Sequence, residues 1–361
     1  MSNIISVSVP GKIHLMGEHA IVYKKPAILT TVDKRLTITI QLNQTKKINI
    51  TSKSLDQTVT TTLDDMIKKT QKARKKHQQF SQTRDLKQLI SIKHHDLDLI
   101  ELAIVETFAY YRKQIEKGFT ITIESEIPAG SGLGSSAAIA VGVVAVLSAA
   151  LKTVEVDPAV INEIAYTVEK YQHGLPSGGD NTAITYGGLV WYRKESELYK
   201  IIGSIPIEVP KDISSKFILI NTGTPQETTG EMVLKVSKLK KKNLELLNKF
   251  NNDQEEITRN MLTAFKENDS KLLIQLIKQG QKNLESIGVV SKTTQKMIRD
   301  IEQTGGAAKI CGAGGYKEGS GIVLAYHQDP DQITKIADSY KFNHFKTTIG
   351  GPGLKIEQAK D

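Results

Sequence analysis

The chain has 361 residues, and 48 Lys and Arg against 39 Asp and Glu give a net charge of +9. Hydrophobic residues make up 39% and recur in runs throughout, which excludes disorder as a description of the whole chain. One cysteine excludes a disulfide framework and any Cys-rich zinc or iron–sulfur site, and the length predicts two domains.

The start, MSNIISVSVPGK, has no charged region ahead of an apolar stretch, so a reduced cytoplasm is the expected compartment. The first 50 residues alternate apolar and polar, as in ISVSVP and RLTITIQLN, and read as strands. Residues 53–95 are polar, rich in Lys and Gln and without clear strand signals, and are expected to form a solvated basic insertion with some helix. Within them, residues 65–88 hold eight Lys/Arg and two Asp, a local charge of +6. Asp96 to Lys117 has helical periodicity, and Gly118 opens GFTITIESEIP, an alternating strand that runs into Pro128. The longest apolar stretch, Ala137 to Leu151, is fifteen residues long. That is short of the ~20 a membrane span needs, and its Ala, Val and Gly content predicts a helix packed on all sides in a core.

A second helix, Pro158 to Gln172, leads into the loop HGLPSGGDN, and strands follow at LVWYR and FILINTG. Residues 231–304 read as four helices. Lys235 to Lys249 holds six Lys and one Glu, a local charge of +5, while Met232, Val236, Leu239, Leu246 and Phe250 recur at helical spacing. That pattern predicts an amphipathic helix with a solvated lysine face. The two basic segments account for the whole positive surplus. Neither interleaves aromatics with its cations, so no nucleic-acid partner is expected. Strands AAKIC and GIVLAY flank a second glycine-rich loop, and a helix and a last strand close the chain. The class is α+β in two lobes, 1–210 and 211–361, with the boundary falling within residues 203–216.

The segment PAGSGLGSSAAIAV (128–141) runs from a strand through a glycine-rich turn into the buried helix. Gly130, Gly132 and Gly134 carry no Cβ, so the backbone N–H groups of Gly130, Ser131, Gly132, Leu133, Gly134, Ser135 and Ser136 can close around an anion at the helix's positive end. The Walker pattern is rejected because Ser135-Ser136 stands where Lys-Ser/Thr is needed. The dinucleotide fingerprint is rejected because it needs its third glycine one position beyond Gly134. A tight turn with glycines for packing remains the plain alternative, and Ser135 or Ser136 could equally cap the helix. Three further segments carry polar groups. PGKIHLMGEH (10–19) holds a lysine, a carboxylate and imidazoles, HGLPSGGDN (173–181) holds Asp180 in a glycine-rich bend, and KICGAGG (309–315) is a second glycine turn after a strand. Taken singly, Asp180 could be an Asx-turn, Glu169 a solvated charge on a helix, His14 a structural residue on a strand and Cys311 a small buried residue.

In this order, the segments PGKIHLMGEHAIVY, PAGSGLGSSAA and KICGAGG resemble the three motifs of the GHMP family of small-molecule kinases. The resemblance spans Pro10 to about Leu354, with residues 53–95 the poorly matching part. It implies a two-lobed fold, with an N-terminal lobe like ribosomal protein S5 and a ferredoxin-like, helix-rich C-terminal lobe. GEHAIVY and HGLPSGGDN are similar to the branch that phosphorylates mevalonate at its 5-hydroxyl, which implies mevalonate and ATP as substrates with Mg²⁺. By the same resemblance, Asp180 matches the catalytic base and Lys12 the lysine beside it. Ser136 and Glu169 match the magnesium site, and Glu18, His19 and Thr228 match substrate-side positions. ATP is expected across the loop from Gly130 to Ser136, with substrate in the cleft between the lobes near Asp180.

The chain departs from the family pattern at Cys311, where a Thr is usual, at Tyr316-Lys317-Glu318, which interrupt the glycines, and at Gln226, where a basic residue often stands. Alternatives are a sister kinase acting on phosphomevalonate, homoserine or a sugar, and a non-catalytic ligand- or nucleic-acid-binding relative. The second would be expected to lack Asp180 or Lys12, and both are present. No membrane partner is expected, and a homodimer is compatible with the chain without being specified by it.

Overall fold

The alternating first fifty residues form strands, as their period of two requires when one sheet face is buried. The computed structural model describes residues 4–83, 97–128, 131–151, 156–174, 176–196 and 199–357. In chain order, β1 (Ile4–Met16), β2 (Ala27–Leu42), β3 (Ile48–Ser52) and β4 (Gln57–Thr61) precede α1 (Leu63–Thr83) and α2 (Asp98–Tyr111). Next come β5 (Phe119–Ser125), α3 (Ser135–Ala150), α4 (Pro158–His173), α5 (Gly179–Tyr186), β6 (Leu189–Lys194) and β7 (Lys200–Ile205). A short α6 (Lys211–Ser214) leads to β8 (Phe217–Asn221), α7 (Thr229–Ser237), α8 (Leu239–Lys242), α9 (Leu244–Lys266), α10 (Ser270–Ser286) and α11 (Lys292–Gln303). The chain closes with β9 (Ala307–Ile310), β10 (Ile322–Tyr326), α12 (Pro330–Ser339), β11 (Asn343–Thr347) and β12 (Lys355–Glu357).

Among the described residues there are two sheets. The first has eight strands in the order β12-β1-β2-β5-β3-β4, with β6 and then β7 branching from β2. Strand β2 serves two partners in succession: Ala27–Thr30 pairs with β6, and Leu36–Leu42 pairs with β5. The second sheet, β11-β8-β10-β9, is antiparallel throughout. The closing strand β12 does not stay with the second sheet but returns to pair with β1, Val7 opposite Ile356. Arg35 ties this return down, with its guanidinium donating to Ser8 Oγ at 2.7 Å and to the carbonyls of Gly353 and Pro352 at 2.7 and 3.0 Å.

The fifteen-residue apolar run is a core helix. Eleven residues of α3 are buried, packed against β1 and β2, because small side chains let a helix be covered on every side. No helix of the described residues is long and apolar enough to cross a membrane.

Two basic segments depart from their sequence reading. Residues 57–61 are a strand pairing with β3, and residues 63–83 form one 21-residue helix. That helix buries Met66, Thr70, Ala73 and Phe80, and its cations Lys69 and Arg74 pair with Glu101 and Glu106 of α2 at 2.7 and 2.8 Å. Residues 84–96, the rest of the insertion, lie outside the described residues. Residues 231–304 form five helices, not four. The lysine-rich stretch is not one amphipathic helix either, since Asn243 breaks it at φ −158° and caps α9 by accepting from the Leu246 N–H at 3.0 Å. Asparagine's short amide competes with the helix backbone and favours such a cap.

Candidate active site

Lys12 and His14 lie two residues apart on β1 and therefore share a face. Register shifts after Pro10 and after His14 bracket that stretch of the β1–β2 ladder. Bulges of this kind re-aim side chains next to functional sites. Both side chains turn to Asp180, which sits in the first turn of α5. Lys12 Nζ is 3.0 Å from Asp180 Oδ2, and His14 Nε2 is 3.9 Å from Oδ1. The lysine is almost fully buried, whereas Asp180 keeps 33% of its side chain exposed, so the carboxylate is the group that a ligand can reach.

Burial pushes the Asp180 carboxyl up, but Lys12 and lesser neighbours more than offset it, and the net position is below the usual carboxylate range. Burial, aided by Lys12, takes the His14 imidazole down to about 3, so it is neutral at working pH and adds no charge to the pair. The carboxylate is thus ionised, cation-paired and partly open, which suits a proton acceptor.

The loop that delivers Asp180 is clamped from several elements. Tyr192 of β6 donates to Ser177 O at 3.1 Å, Lys200 of β7 donates to Pro176 O at 3.1 Å, and Ser177 Oγ accepts from the Gly179 N–H at 3.0 Å.

The glycine-rich turn is stapled to the same strand. The Lys12 N–H donates to Leu133 O at 2.8 Å, and Ser131 Oγ donates to Pro128 O at 2.6 Å. Leu133's side chain is buried, so only its backbone can face a ligand. Gly130 lies outside the described residues. Gly132, at φ +77°, faces open space where a Cβ would meet nothing within 4 Å. Gly134 caps α3 at φ +79°, and a Cβ there would stand 2.9 Å from Lys12 Cγ. The first N–H groups of α3, at Ser135 and Ser136, have no intrahelical acceptor and face an anion well. Gly134→Ala is expected to lower kcat at least tenfold by moving Lys12, beyond the roughly 1 kcal/mol that left-handed backbone costs an alanine. Kinetics paired with a melting curve check this, and a variant with native kcat would contradict the contact.

Glu169 is buried on α4, and its Oε1 has no hydrogen-bond partner. Ser136 Oγ donates to its Oε2 at 3.4 Å, and His173 Nε2 lies 3.5 Å from the same oxygen. Burial first, and then the Asp180 carboxylate, push the Glu169 carboxyl up to about 8. A cation among these groups would reverse both effects, and an orphaned buried carboxylate oxygen fits that demand. Among the described residues no cluster of three or more His, Cys, Asp or Glu is placed to hold a metal. Mg²⁺ takes few protein oxygens and keeps phosphate oxygens and waters, so one carboxylate and one hydroxyl are a donor set of the right chemistry for it.

The substrate-side residues fall into two groups. Glu18 is 2% exposed and its carboxylate is engaged by the buried Lys309 of the third motif. Next to it, His19 Nε2 donates to Ala313 O of the same motif at 2.9 Å, and burial pushes its imidazole down, towards the neutral form. The pair Glu18–His19 therefore forms a buried seam joining the first and third motifs. Thr228 is exposed and caps α7 in a reciprocal box, accepting from the Glu231 N–H at 3.3 Å while its own N–H donates to Glu231 at 2.7 Å. Its hydroxyl is engaged there, donating to Glu231 Oε2 at 3.0 Å.

Three participants were missed in the sequence. His14 was announced by its spacing of two from Lys12 on a strand, and His173 by its spacing of four from Glu169 on a helix. Lys309 heads the segment KICGAGG, but nothing local announces its pairing with Glu18, 291 residues away.

Residues 99–188 match the family described as GHMP kinases N terminal domain. The mevalonate kinase of Archaeoglobus fulgidus is 30% identical over 310 residues, covering 85% of this chain and 88% of that protein. The mevalonate kinase of Thermococcus sibiricus is 29% identical over 366 residues, covering 98% of each. The crystal structure of Methanococcus jannaschii mevalonate kinase superposes with a TM-score of 0.77 at 22% identity, covering 96% of this chain and 98% of that one. The fold is that of the GHMP small-molecule kinases. Within that class, the chain belongs to the mevalonate kinase family of ATP-using phosphotransferases.

Proposed function

We propose that this chain transfers the γ-phosphoryl group of ATP to the 5-hydroxyl of mevalonate, giving 5-phosphomevalonate and ADP. The observation that carries the reading is the Lys12–Asp180 pair at 3.0 Å, in which Lys12 also ties its strand to the glycine-rich turn that opens α3 through its N–H to Leu133 O. Asp180 accepts the hydroxyl proton as that oxygen bonds to the γ-phosphorus, while the bond to the β–γ bridging oxygen breaks and ADP leaves. Lys12 holds the carboxylate ionised and offers positive charge to the reacting oxygens. The backbone from Ser131 to Ser136 cradles the phosphates. Ser136 and Glu169 would hold Mg²⁺, which when bound would supply positive charge against the phosphates. Glu18 and His19 shape the substrate side through their seam with the third motif, and Thr228 does so through the start of α7. Catalysis on this plan is positioning and charge stabilisation, with no covalent enzyme intermediate.

ADP release measured across mevalonate, phosphomevalonate, homoserine and galactose tests the substrate. Mevalonate is expected to give the highest kcat/KM. Preference for another alcohol would transfer the chain to a sister activity, and no turnover with any would favour a non-catalytic relative.

The metal assignment has its own check. Because a proton competes for a Glu169 carboxyl pushed up to about 8, Mg²⁺ affinity is expected to rise as pH goes from 6.5 to 8.5. Glu169→Gln should weaken Mg²⁺ binding by about tenfold or more and flatten that pH dependence. Calorimetry on both proteins reads the two effects.

A further inference from the structure

The first basic segment has a place in the catalytic support. Arg74 of α1 forms a bidentate pair with Glu106 of α2, with both N–H···O distances 2.8 Å. The same carboxylate accepts from the Tyr171 hydroxyl of α4 at 2.7 Å. One turn further along α1, His77 Nε2 donates to Gly174 O at 3.1 Å, and its ring meets that of Tyr171 edge-on at 5.8 Å. Glu106 and Tyr171 are buried, so the relay runs inward from Arg74, whose side chain is about half exposed.

Its far end is the site. Tyr171 lies between Glu169 and His173, which are four residues apart and share one edge of α4. At about 100° per residue, Tyr171 projects roughly opposite that edge. Fixing it therefore sets the roll of α4, and with it the aim of Glu169 at Ser136. The His77 bond fixes the first residue past the helix, where the chain turns towards Asp180.

Resting on the metal reading above, we propose that Arg74, Glu106 and Tyr171 are positioning residues that set the affinity of the Glu169–Ser136 site for its cation. Helix α1 is thus a brace for the last turns of α4. Bonds one layer out from metal ligands commonly shift metal affinity by about 10–100-fold, because they fix ligand orientation.

The test is Mg²⁺ binding by calorimetry with a non-hydrolysable ATP analogue present, on Tyr171→Phe, Arg74→Gln and Glu169→Gln. Arg74→Gln strands the buried Glu106 carboxylate and puts the fold at risk. Tyr171→Phe keeps the ion pair and removes only the link to α4. In Tyr171→Phe, and in Arg74→Gln if it folds, the Mg²⁺ Kd is expected to rise about tenfold. Excess Mg²⁺ should restore turnover, with KM for the alcohol unchanged. A purely structural role would lower the melting temperature and leave the Kd alone. Native Mg²⁺ affinity in folded Tyr171→Phe, with affinity lost in Glu169→Gln, overturns the relay and leaves the metal site standing. Native affinity in Glu169→Gln itself overturns both.

Discussion

Asp180→Asn is expected to lower kcat by about a thousandfold or more while nucleotide binding stays within a few-fold of native. The loss lies at the upper part of the range for a positioned proton acceptor. Asparagine keeps the shape of the side chain, and its amide can still lie beside Lys12, so the pocket persists. What is removed is the one partly exposed carboxylate that Lys12 and its neighbours hold below the usual range against its burial. On the proposed plan nucleotide affinity depends on the turn from Ser131 to Ser136, which the substitution leaves in place, and on Glu169, from which it removes only the charge repulsion of the Asp180 carboxylate. Rapid-quench kinetics and titration with a fluorescent ATP analogue measure the two quantities separately. Turnover near the native rate would remove Asp180 from the chemistry, and a parallel loss of nucleotide binding would make its role structural.

Lys12→Met should cost about a hundredfold to a thousandfold in kcat, the range for losing one charge-stabilising donor. It should also move the pH profile. Burial pushes the Asp180 carboxyl up and Lys12 is the largest opposing influence, so deleting the ammonium leaves burial much less opposed. The sign is definite. The native protein keeps its carboxylate, and hence its activity, to low pH, whereas the variant protonates at higher pH, and the acid limb of kcat/KM moves upward. Burial is the first cause that holds the His14 imidazole down, and it persists in the variant although the contribution of Lys12 is lost. Methionine nearly matches lysine in volume, so the contact with the Gly134 turn survives and the fold is retained. A low kcat with an unmoved acid limb would mean that Lys12 acts on the phosphates alone.

Much of this site was legible because its signals are local. Lys12 sits on an alternating strand, Asp180 in a glycine-rich bend, and Ser136 at the mouth of a helix too apolar to face water. Long-range pairings left no such trace. Nothing in GEH announces that Glu18 closes on Lys309, or in the basic insertion that Arg74 meets Glu106.

Other features were present and outweighed. Met66, Thr70, Ala73, His77 and Phe80 recur at spacings of four, three, four and three along α1, a helical stripe submerged in lysine and glutamine. Thr228 and Glu231 spell a capping box three residues apart, the reason Thr228 is found holding a helix start. Asn243 split the lysine-rich helix because a capping preference at one position outweighed the apolar period around it.

The most direct measurement is phosphorus NMR of the native protein turning over ATP, Mg²⁺ and mevalonate. As the ATP signals give way to ADP, a monoester resonance split by two equivalent protons should grow in equal amount, marking phosphate on the primary 5-carbon. ADP appearing with inorganic phosphate and no ester, or an ester on any other position, would contradict transfer to the 5-hydroxyl at Asp180.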